Sequence, residues 1–302
     1  VTATGGFDAD NNYTTDYAVG LNISDRAFDA LTCEGDGEGA ECYGKGANAT
    51  GKFTTAIGAQ SSAITTDVAD DPIAGATAVG YGSNAGSRGS TALGVATNAS
   101  GEFATALGSD ARANSTSSIA LGAAAKATAN LTTSIGAAAD ASGIESIALG
   151  SRATSVGESS TALGSNANSG GYRATALGYR ATADGNTSTA LGQETEASGS
   201  GSVAVGAMAK STANTSTALG AGAQASQTRT VAIGTLANAS GTDAVALGAR
   251  TKASGTSAVA LGDGSQATHI DAVAIGPGAA TTADSRLTLG SGTSSYQTPG
   301  LT

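Results

Sequence analysis

Apolar and polar positions along this chain repeat with a period of 14 residues. The tripeptide Ala-[Leu/Ile/Val]-Gly marks the period, and its glycines run from Gly80 to Gly276 without a slip. Thr288-Leu289-Gly290 completes 16 anchors in register. Upstream, Gly20 and Gly58 carry the same signature, and Gly44 lies one period before Gly58. A fixed period this short predicts a stack of coils in which each coil contacts only its neighbours.

Counted from each anchor glycine, positions +3 to +5 read as a short strand. Positions +3 and +5 are small, as in the pair Ala111 and Ala113, whereas +4 is polar in 13 of the 14 coils from Gly94 onward. This alternation predicts a strand with +3 and +5 facing inward and +4 facing outward. Glycine, asparagine or serine near +7 predicts a turn.

Positions +11 to +13 read as a second strand that is apolar on both faces. Position +11 is threonine, valine or isoleucine, +13 is leucine, isoleucine or valine, and +12 is alanine in 14 of 16 coils. Such a strand is expected to be buried on both sides. We expect the branched side chains to fill the coil interior and the alanine face to pack against another copy of the chain. The predicted oligomer interface consists of Ala106, Ala120, Ala148, Ala162, Ala176, Ala190, Ala204, Ala218, Ala232, Ala246, Ala260 and Ala274.

The pattern predicts an all-β protein, a parallel β-roll or β-solenoid with 14-residue coils. With ~4.8 Å between strands, 19 coils would make a rod about 90 Å long. The anchor glycine is expected where a Cβ would obstruct the turn of the chain. We predict three regions: residues 1–75 as an irregular acidic tip with inserted loops and early coils, 76–290 as the regular roll, and 291–302 as a tail or linker.

Composition favours a thin rod over a compact globule. The 302 residues include 45 glycines, 11 aromatic residues and no tryptophan. Of the net charge of −10, −9 falls in residues 1–75, and no basic face exists for nucleic acid. No apolar run approaches 18 residues, so we expect no membrane insertion by this segment. With neither a starting methionine nor a secretory signal, the chain is expected to be a processed extracellular piece.

Residues that could carry catalysis or bind a metal are scarce. His269 is the one histidine and stands at a turn position, so we expect no enzyme and no cofactor. Asp8, Asp10 and Asn12 have the opening spacing of a calcium loop, but Tyr13 stands where glycine is needed. A polar cap over the first coil is the alternative for this segment, and no metal site is predicted.

Two kinds of covalent modification are predicted. Cys33 and Cys42 bracket Glu34 to Glu41, which we interpret as an insertion between coils closed by a disulfide bond. Asn-x-Ser/Thr sequons make candidate N-glycosylation sites, although asparagine also suits turns for its own sake. The sequon asparagines are Asn12, Asn22, Asn48, Asn98, Asn114, Asn130, Asn186, Asn214 and Asn238.

The repeat resembles the YadA-like head repeat of trimeric autotransporter adhesins. Thr105-Ala106-Leu107-Gly108 and Val273-Ala274-Ile275-Gly276 are close instances, and the resemblance covers about residues 44–290. It implies a left-handed parallel β-roll and a homotrimer with the hydrophobic strands at the three-fold axis. It also implies display on a bacterial outer surface and adhesion to extracellular matrix or a cell-surface receptor.

Three functions remain open at this stage. The first is a non-enzymatic surface adhesin, outer-membrane-anchored if a stalk and anchor follow. Because no neck motif or coiled-coil heptads follow Gly290, the second is a phage or viral tail fibre or a self-assembling extracellular filament. The third, an ice- or mineral-binding solenoid, needs an outward array of identical threonines, and we expect the threonines at +11 to face inward. Recognition is sought in residues 1–75, which hold six of the 11 aromatic residues, unless this segment is only a folded cap.

Overall fold

Two parallel sheets joined by short turns form the fold. The computed structural model describes residues 2–7, 13–18, 34–65 and 75–292. Sheet one contains 18 strands and sheet two contains 17. The strands of sheet one are Glu41–Tyr43, Thr55–Ile57, Thr77–Val79, Thr91–Leu93, Thr105–Leu107, Ile119–Leu121, Thr133–Ile135, Ile147–Leu149, Thr161–Leu163, Thr175–Leu177, Thr189–Leu191, Val203–Val205, Thr217–Leu219, Val231–Ile233, Val245–Leu247, Val259–Leu261, Val273–Ile275 and Leu287–Leu289. The strands of sheet two are Glu34–Asp36, Asn48–Thr50, Ser62–Ile64, Asn84–Ala85, Asn98–Ala99, Arg112–Ala113, Lys126–Ala127, Asp140–Ala141, Thr154–Ser155, Asn168–Ser169, Thr182–Ala183, Glu196–Ala197, Lys210–Ser211, Gln224–Ala225, Asn238–Ala239, Lys252–Ala253 and Gln266–Ala267.

Each strand pairs in parallel with its equivalent in the next coil. Thr105 lies opposite Ile119 and Ala106 opposite Ala120, a shift of one 14-residue period. The pairing of Thr55–Ile57 with Thr77–Val79 spans a longer interval, so the extra residues fall after Ile64, within the stretch 66–74 that lies outside the described residues. The predicted all-β parallel β-solenoid is therefore confirmed.

A separate antiparallel hairpin lies near the N-terminus. Thr2–Phe7 pairs with Tyr13–Ala18, with Thr2 opposite Ala18 and Phe7 opposite Tyr13. The 14-residue pattern did not predict this hairpin, because its strands lie before the regular repeat. The calcium-loop candidates Asp8, Asp10 and Asn12 lie outside the described residues.

Residues 34–44 form a regular part of the solenoid. Glu34–Asp36 pairs in register with Asn48–Thr50, and Glu41–Tyr43 pairs with Thr55–Ile57. The prediction of an insertion from Glu34 to Glu41 was therefore wrong. Acidic and glycine residues conceal the period here, since Gly35 stands opposite Ala49 where other coils have alanine or serine.

The coil interior is lined by small side chains from both sheets. In the coil that starts at Gly108, the interior residues Ala111, Ala113, Ser118 and Ala120 are all fully buried. They occupy positions +3, +5, +10 and +12. Among the described residues, no fully buried side chain is larger than threonine. The two sheets therefore pack close together around a core of alanine, serine and threonine.

The predicted facing of sheet one was wrong. The alanines at +12 point into the coil and are shielded from solvent by a single chain, so they cannot form an oligomer interface. Position +11 and position +13 face outward instead, as Ile119 at 38 % and Leu107 at 39 % exposure show. The twelve alanines concerned are Ala106, Ala120, Ala148, Ala162, Ala176, Ala190, Ala204, Ala218, Ala232, Ala246, Ala260 and Ala274, each 0 % exposed.

Short turns explain why only small side chains fit inside. The Ala111 N–H donates to the Gly108 carbonyl at 3.3 Å, which closes a four-residue turn between the sheets. The third residue of this turn, Asp110, has a φ of 56°, and its counterpart Ser117 in the second turn has a φ of 54°. A positive φ at the third position is the mark of a type II turn. Two such tight connections leave no room between the sheets for leucine or isoleucine.

The anchor glycines are required by the neighbouring coil. Gly178 has a φ of 140°, and a Cβ placed there would lie 2.3 Å from the carbonyl oxygen of Gly192. The same contact recurs along the rod, with the glycine of each coil facing the backbone of the next. The prediction that a Cβ would obstruct this position is confirmed.

Candidate functional site

Sheet one presents a continuous apolar surface to solvent. Position +13 contributes an unbroken row of large side chains, each exposed or half-buried, and threonine, valine and isoleucine at +11 form a second row beside it. The +13 row consists of Tyr43, Ile57, Val79, Leu93, Leu107, Leu121, Ile135, Leu149, Leu163, Leu177, Leu191, Val205, Leu219, Ile233, Leu247, Leu261, Ile275 and Leu289. With ~4.8 Å between strands, the row extends about 80 Å. We call these two rows the apolar face.

An apolar face of this length is unusual for a monomer in water. The largest apolar patch of a typical monomer measures a few hundred Å² and often marks an interaction site. Sequence reasoning identified the apolar side chains but assigned them to the interior. The strand alternation fixes +11 and +13 to one side of the sheet and +12 to the other, and it leaves open which side is outside.

Sheet two presents a polar surface on the opposite side of the coil. Position +4 points outward, as predicted: Arg112 and Lys126 are exposed, whereas the flanking alanines are buried. Charged side chains at equivalent positions of successive coils form ion pairs, such as Lys210 with Glu196 at 3.3 Å. Because equivalent positions lie next to each other along the rod, a 14-residue spacing brings these charges together.

The ion pair between Arg229 and Asp243 has the best geometry. The Arg229 guanidinium donates through Nε to Oδ1 and through Nη2 to Oδ2, the latter at 2.8 Å. The hydrogen bond from Arg229 lowers the pKa of the Asp243 carboxyl below its usual value, and the positive charge of Arg229 adds to this effect. The pKa of Arg229 is raised by the same contact. Both side chains are exposed, so the pair fixes the positions of these two side chains but contributes little to the stability of the fold.

The turns expose large side chains at scattered positions. Arg88 lies over the ring of Phe103 with 4.8 Å between its guanidinium carbon and the ring centre, and it also pairs with Glu102 at 3.0 Å. Leu131 and Leu236 are more than half exposed at their turns. These side chains vary from coil to coil, unlike the rows of the apolar face.

The sequons of the described residues lie away from the apolar face. They occupy positions +4, +6 and +8, on sheet two or in the second turn, as the sequence predicted. The sequons concerned begin at Asn48, Asn98, Asn114, Asn130, Asn186, Asn214 and Asn238. Asn12 and Asn22 lie outside the described residues. Glycosylation itself stays a prediction.

The remaining predicted site residues are dispersed. Cys42 lies at an interior +12 position with 6 % exposure, whereas Cys33 lies outside the described residues, so their disulfide stays a prediction. His269 shares hydrogen bonds with Thr268 and Thr281 through Nδ1, at 3.2 and 3.1 Å. Within the described ranges, no cluster of three histidine, cysteine, aspartate or glutamate side chains is arranged to hold a metal ion. The same residues include no helix long and apolar enough to span a bilayer.

Comparison with protein families identifies the repeat. The YadA head domain repeat matches residues 44–63, 74–94, 85–111, 141–167, 169–195, 197–223, 225–251 and 253–279. The chain belongs to the YadA head repeat family. The matched segments lie between Gly44 and Ala279 and leave out mainly residues 64–73 and 112–140, so the resemblance seen in the sequence is confirmed. This family membership makes the chain an adhesin head, a role that proteins of this family perform outside the cell and at its surface and in general without enzymatic activity.

Among solved structures, the chain is similar to the collagen-binding domain of the Yersinia adhesin YadA. The two share 23 % sequence identity over 54 % of this chain and 75 % of that one, with a TM-score of 0.32. No curated protein sequence matches the chain significantly.

Proposed function

We propose that the chain is the head of a homotrimeric, non-enzymatic adhesin that binds extracellular matrix or a cell-surface receptor. The apolar face is the observation that supports the assembly, since none of the described residues of the chain covers it. Three copies that turn their apolar faces to a common axis would bury the +11 and +13 rows and leave sheet two in water. Complete burial of a leucine side chain contributes about 1.5–3 kcal/mol, and each +13 leucine would gain the fraction of this that corresponds to its exposed surface.

The assembly is tested by replacing three neighbours in the +13 row. Leu163→Ser, Leu177→Ser and Leu191→Ser, combined in one chain, should lower the mass measured by light scattering from trimer to monomer. These three side chains face outward and take no part in packing the coil interior, so the fold should persist and the circular dichroism spectrum should keep its β signal. Val156 is an apolar residue directly after a sheet-two strand and is more exposed than these leucines, so Val156→Ser is the control and should leave the trimer intact. A triple variant that remains trimeric would exclude the apolar face as the interface.

Collagen is the first ligand to test, because the similar Yersinia domain is a collagen-binding domain. The full chain and a shortened chain starting at Ala76 should be compared for binding to immobilised triple-helical collagen at two salt concentrations. We expect the shortened chain to keep the rod and to lose the binding carried by the acidic, aromatic tip. Added salt should weaken the binding of the full chain, because it screens the charge of the tip. Equal binding by both chains would place recognition on the rod, at the outward positions of sheet two.

The alternative functions have less support. No observation favours a viral tail fibre or a self-assembling filament over an adhesin head. The third candidate, an ice-binding solenoid, was disfavoured because the threonines at +11 were expected to face inward, and that placement was wrong. The outward row at +11 nevertheless mixes threonine with valine and isoleucine, and the neighbouring row at +13 is mostly leucine, isoleucine and valine. It therefore lacks the uniform threonine array that such a surface requires.

A further inference from the structure

The seven sequons of the described residues fall into three structural classes, set by coil position. Three begin at +4 on the outer face of sheet two, namely Asn48, Asn98 and Asn238. Three begin at +8 in the second turn, namely Asn130, Asn186 and Asn214. Asn114 alone begins at +6, where sheet two ends and the second turn starts.

N-glycosyl transfer requires two accessible groups in the acceptor, the asparagine amide and the hydroxyl two residues later. The Asn Nδ2 attacks the anomeric carbon of a sugar diphosphate donor, so that an Nδ2–C1 bond forms and the C1–O bond to the diphosphate breaks. The diphosphate leaves with the electron pair, and an amide proton passes to a base of the transferase. Because the sequon also requires a hydroxyl two residues later, the enzyme must reach both side chains at once.

The folded coil hides the hydroxyl of every +8 sequon. Thr132, Ser188 and Ser216 stand at the interior position +10 and are at most 1 % exposed. The Oδ1 atoms of two of these asparagines are also engaged, since Asn186 accepts from the Tyr172 N–H at 3.1 Å. Asn214 accepts from the Ser200 N–H at 3.0 Å in the same way. A transferase could reach these sequons only while the coil is open.

The +4 sequons lie within paired strands. Asn98 and Asn238 are half-buried, and their Oδ1 atoms are shielded from solvent. In the third sequon, the Thr50 hydroxyl donates to Oδ1 of Asn48 at 2.7 Å. Because each strand is hydrogen-bonded along both of its edges, it cannot be drawn into an enzyme cleft without breaking the sheet.

In the folded chain, the Asn114 sequon leaves both the asparagine and the hydroxyl residue accessible. Asn114 and Thr116 are both exposed, and Ser115 to Ser118 form the turn that follows. Its Oδ1 faces the Ser100 hydroxyl at 3.3 Å, and no hydrogen bond to its Nδ2 occurs among the described residues. We propose that Asn114 is the N-glycosylation site of the folded rod, and that Asn130, Asn186 and Asn214 accept sugar only before their coils close.

The test compares folded protein with peptides. The full chain is incubated with UDP-glucose and a soluble N-glycosyltransferase that reads Asn-x-Ser/Thr, and site occupancy is followed by mass spectrometry. Peptides spanning the four sequons serve as the unfolded reference. We expect all four peptides to be modified, whereas in the folded chain Asn114 should be modified at least tenfold faster than the three +8 sites. Asn114→Gln and Thr116→Ala should each abolish the fast modification, with the circular dichroism spectrum unchanged.

A gain-of-site variant tests the positional rule independently. Ser142→Asn combined with Ile144→Thr places a sequon at +6 of another coil, where both positions are exposed and Gly143 lies between them. This variant should acquire a second fast site. The proposal is overturned if Asn130 in the folded chain is modified as fast as Asn114, if Asn114 is not modified in the chain or in its peptide, or if the variant gains no site. None of these results bears on adhesion, so the proposed function is tested separately.

Discussion

The glycine at each anchor position is required by the backbone of the next coil as well as by the conformation of its own turn. A Cβ on Gly178 would overlap the Gly192 carbonyl, whereas Gly82, at the third position of its own turn, has open space around the same point. Both have a positive φ, at 140° and 61°. The two glycines therefore differ in the physical reason for their presence: steric exclusion by the neighbour in one case and backbone conformation in the other.

We predict that Gly178→Val lowers the free energy of unfolding by at least ~2 kcal/mol, because the strained φ and the backbone overlap act together. Gly82→Asn should change it by less than ~0.5 kcal/mol, since asparagine tolerates this φ and the space is free. Urea unfolding followed by circular dichroism measures both. Equal effects of the two substitutions would refute the steric explanation.

Some turn glycines lie beneath a large side chain of the next coil. The ring of Phe103 lies over Gly89, so that a Cβ there would be 2.5 Å from Cδ1, and Leu236 lies over Gly222 in the same manner. In both cases the glycine occupies the same turn position one coil earlier. At these two positions, the large residue packs over the space that a side chain 14 residues earlier would fill.

At the scale of the turn, non-glycine residues occupy a backbone region that costs them energy. Thr187 and Thr215 have φ values of 54° and 53°, which is strained for a β-branched residue. Each hydroxyl donates to the preceding carbonyl oxygen, at 2.7 Å for Thr187 and 2.8 Å for Thr215. These hydrogen bonds offset part of the strain.

Thr187→Val should therefore lower the free energy of unfolding by about 1 kcal/mol, because it keeps the branch and removes the hydroxyl. Thr187→Asn should be neutral or stabilising, because asparagine adopts a positive φ at lower cost. The midpoints of urea denaturation decide between the two. A valine variant as stable as the parent chain would show that the hydroxyl contributes nothing to the turn.

The ion pairs that connect coils along the rod make the stability of the folded chain depend on pH, and the direction of this dependence follows from the pKa shift. The pKa of Asp243 is lower in the folded chain than in the unfolded chain because Arg229 donates hydrogen bonds to the carboxylate. Its contribution to stability is therefore fully present above the unfolded-state pKa and is lost as the pH falls through the folded-state pKa.

We expect NMR titration to show the Asp243 carboxyl protonating at lower pH than in an Arg229→Gln variant. The difference in melting temperature between the two proteins should be small above the unfolded pKa and should vanish in strong acid. Added salt should reduce it, since both side chains are exposed. An Asp243 pKa that is unchanged by the substitution would contradict the role of Arg229.

At the scale of the whole molecule, each coil of the described residues contacts the coils before and after it. Every strand pairing between Thr77 and Leu289 repeats with the same 14-residue shift, and the interior positions hold alanine, serine or threonine except at Arg286 in the last coil. Coils are therefore interchangeable units, and their stabilities should add as nearest-neighbour terms.

Deletion of residues 165–178 removes one full period and joins Gly164 to Tyr179. We predict a folded rod about 4.8 Å shorter, with a melting temperature within a few degrees of the parent chain. Deletion of residues 165–177, one residue short of the period, joins Gly164 to Gly178 and places the outward side chains of Arg180 and Thr182 at interior positions, so it should unfold the neighbouring coils. Circular dichroism and small-angle scattering measure both. If the two deletions have the same effect, coil periodicity does not govern stability.

The sequence alone determined the period, the two strands in each coil and the need for glycine at the anchor. These follow from local rules, because strand alternation, turn residues and an uninterrupted repeat are properties of neighbouring positions. The inward facing of Ala111 and Ala113 could be predicted because a polar residue stands between them.

Only the tertiary structure decided which side of sheet one faces the interior. Both sides of that strand are apolar, so alternation groups Thr105 with Leu107 and separates them from Ala106 without saying which group is buried. The outcome depends on the distance between the two sheets, which the tight turns make too short for leucine. The same burial decides which sequons keep an accessible hydroxyl: Thr132 points into the coil, whereas Thr116 is left in solvent, because the coil closes around position +10 and leaves position +8 outside.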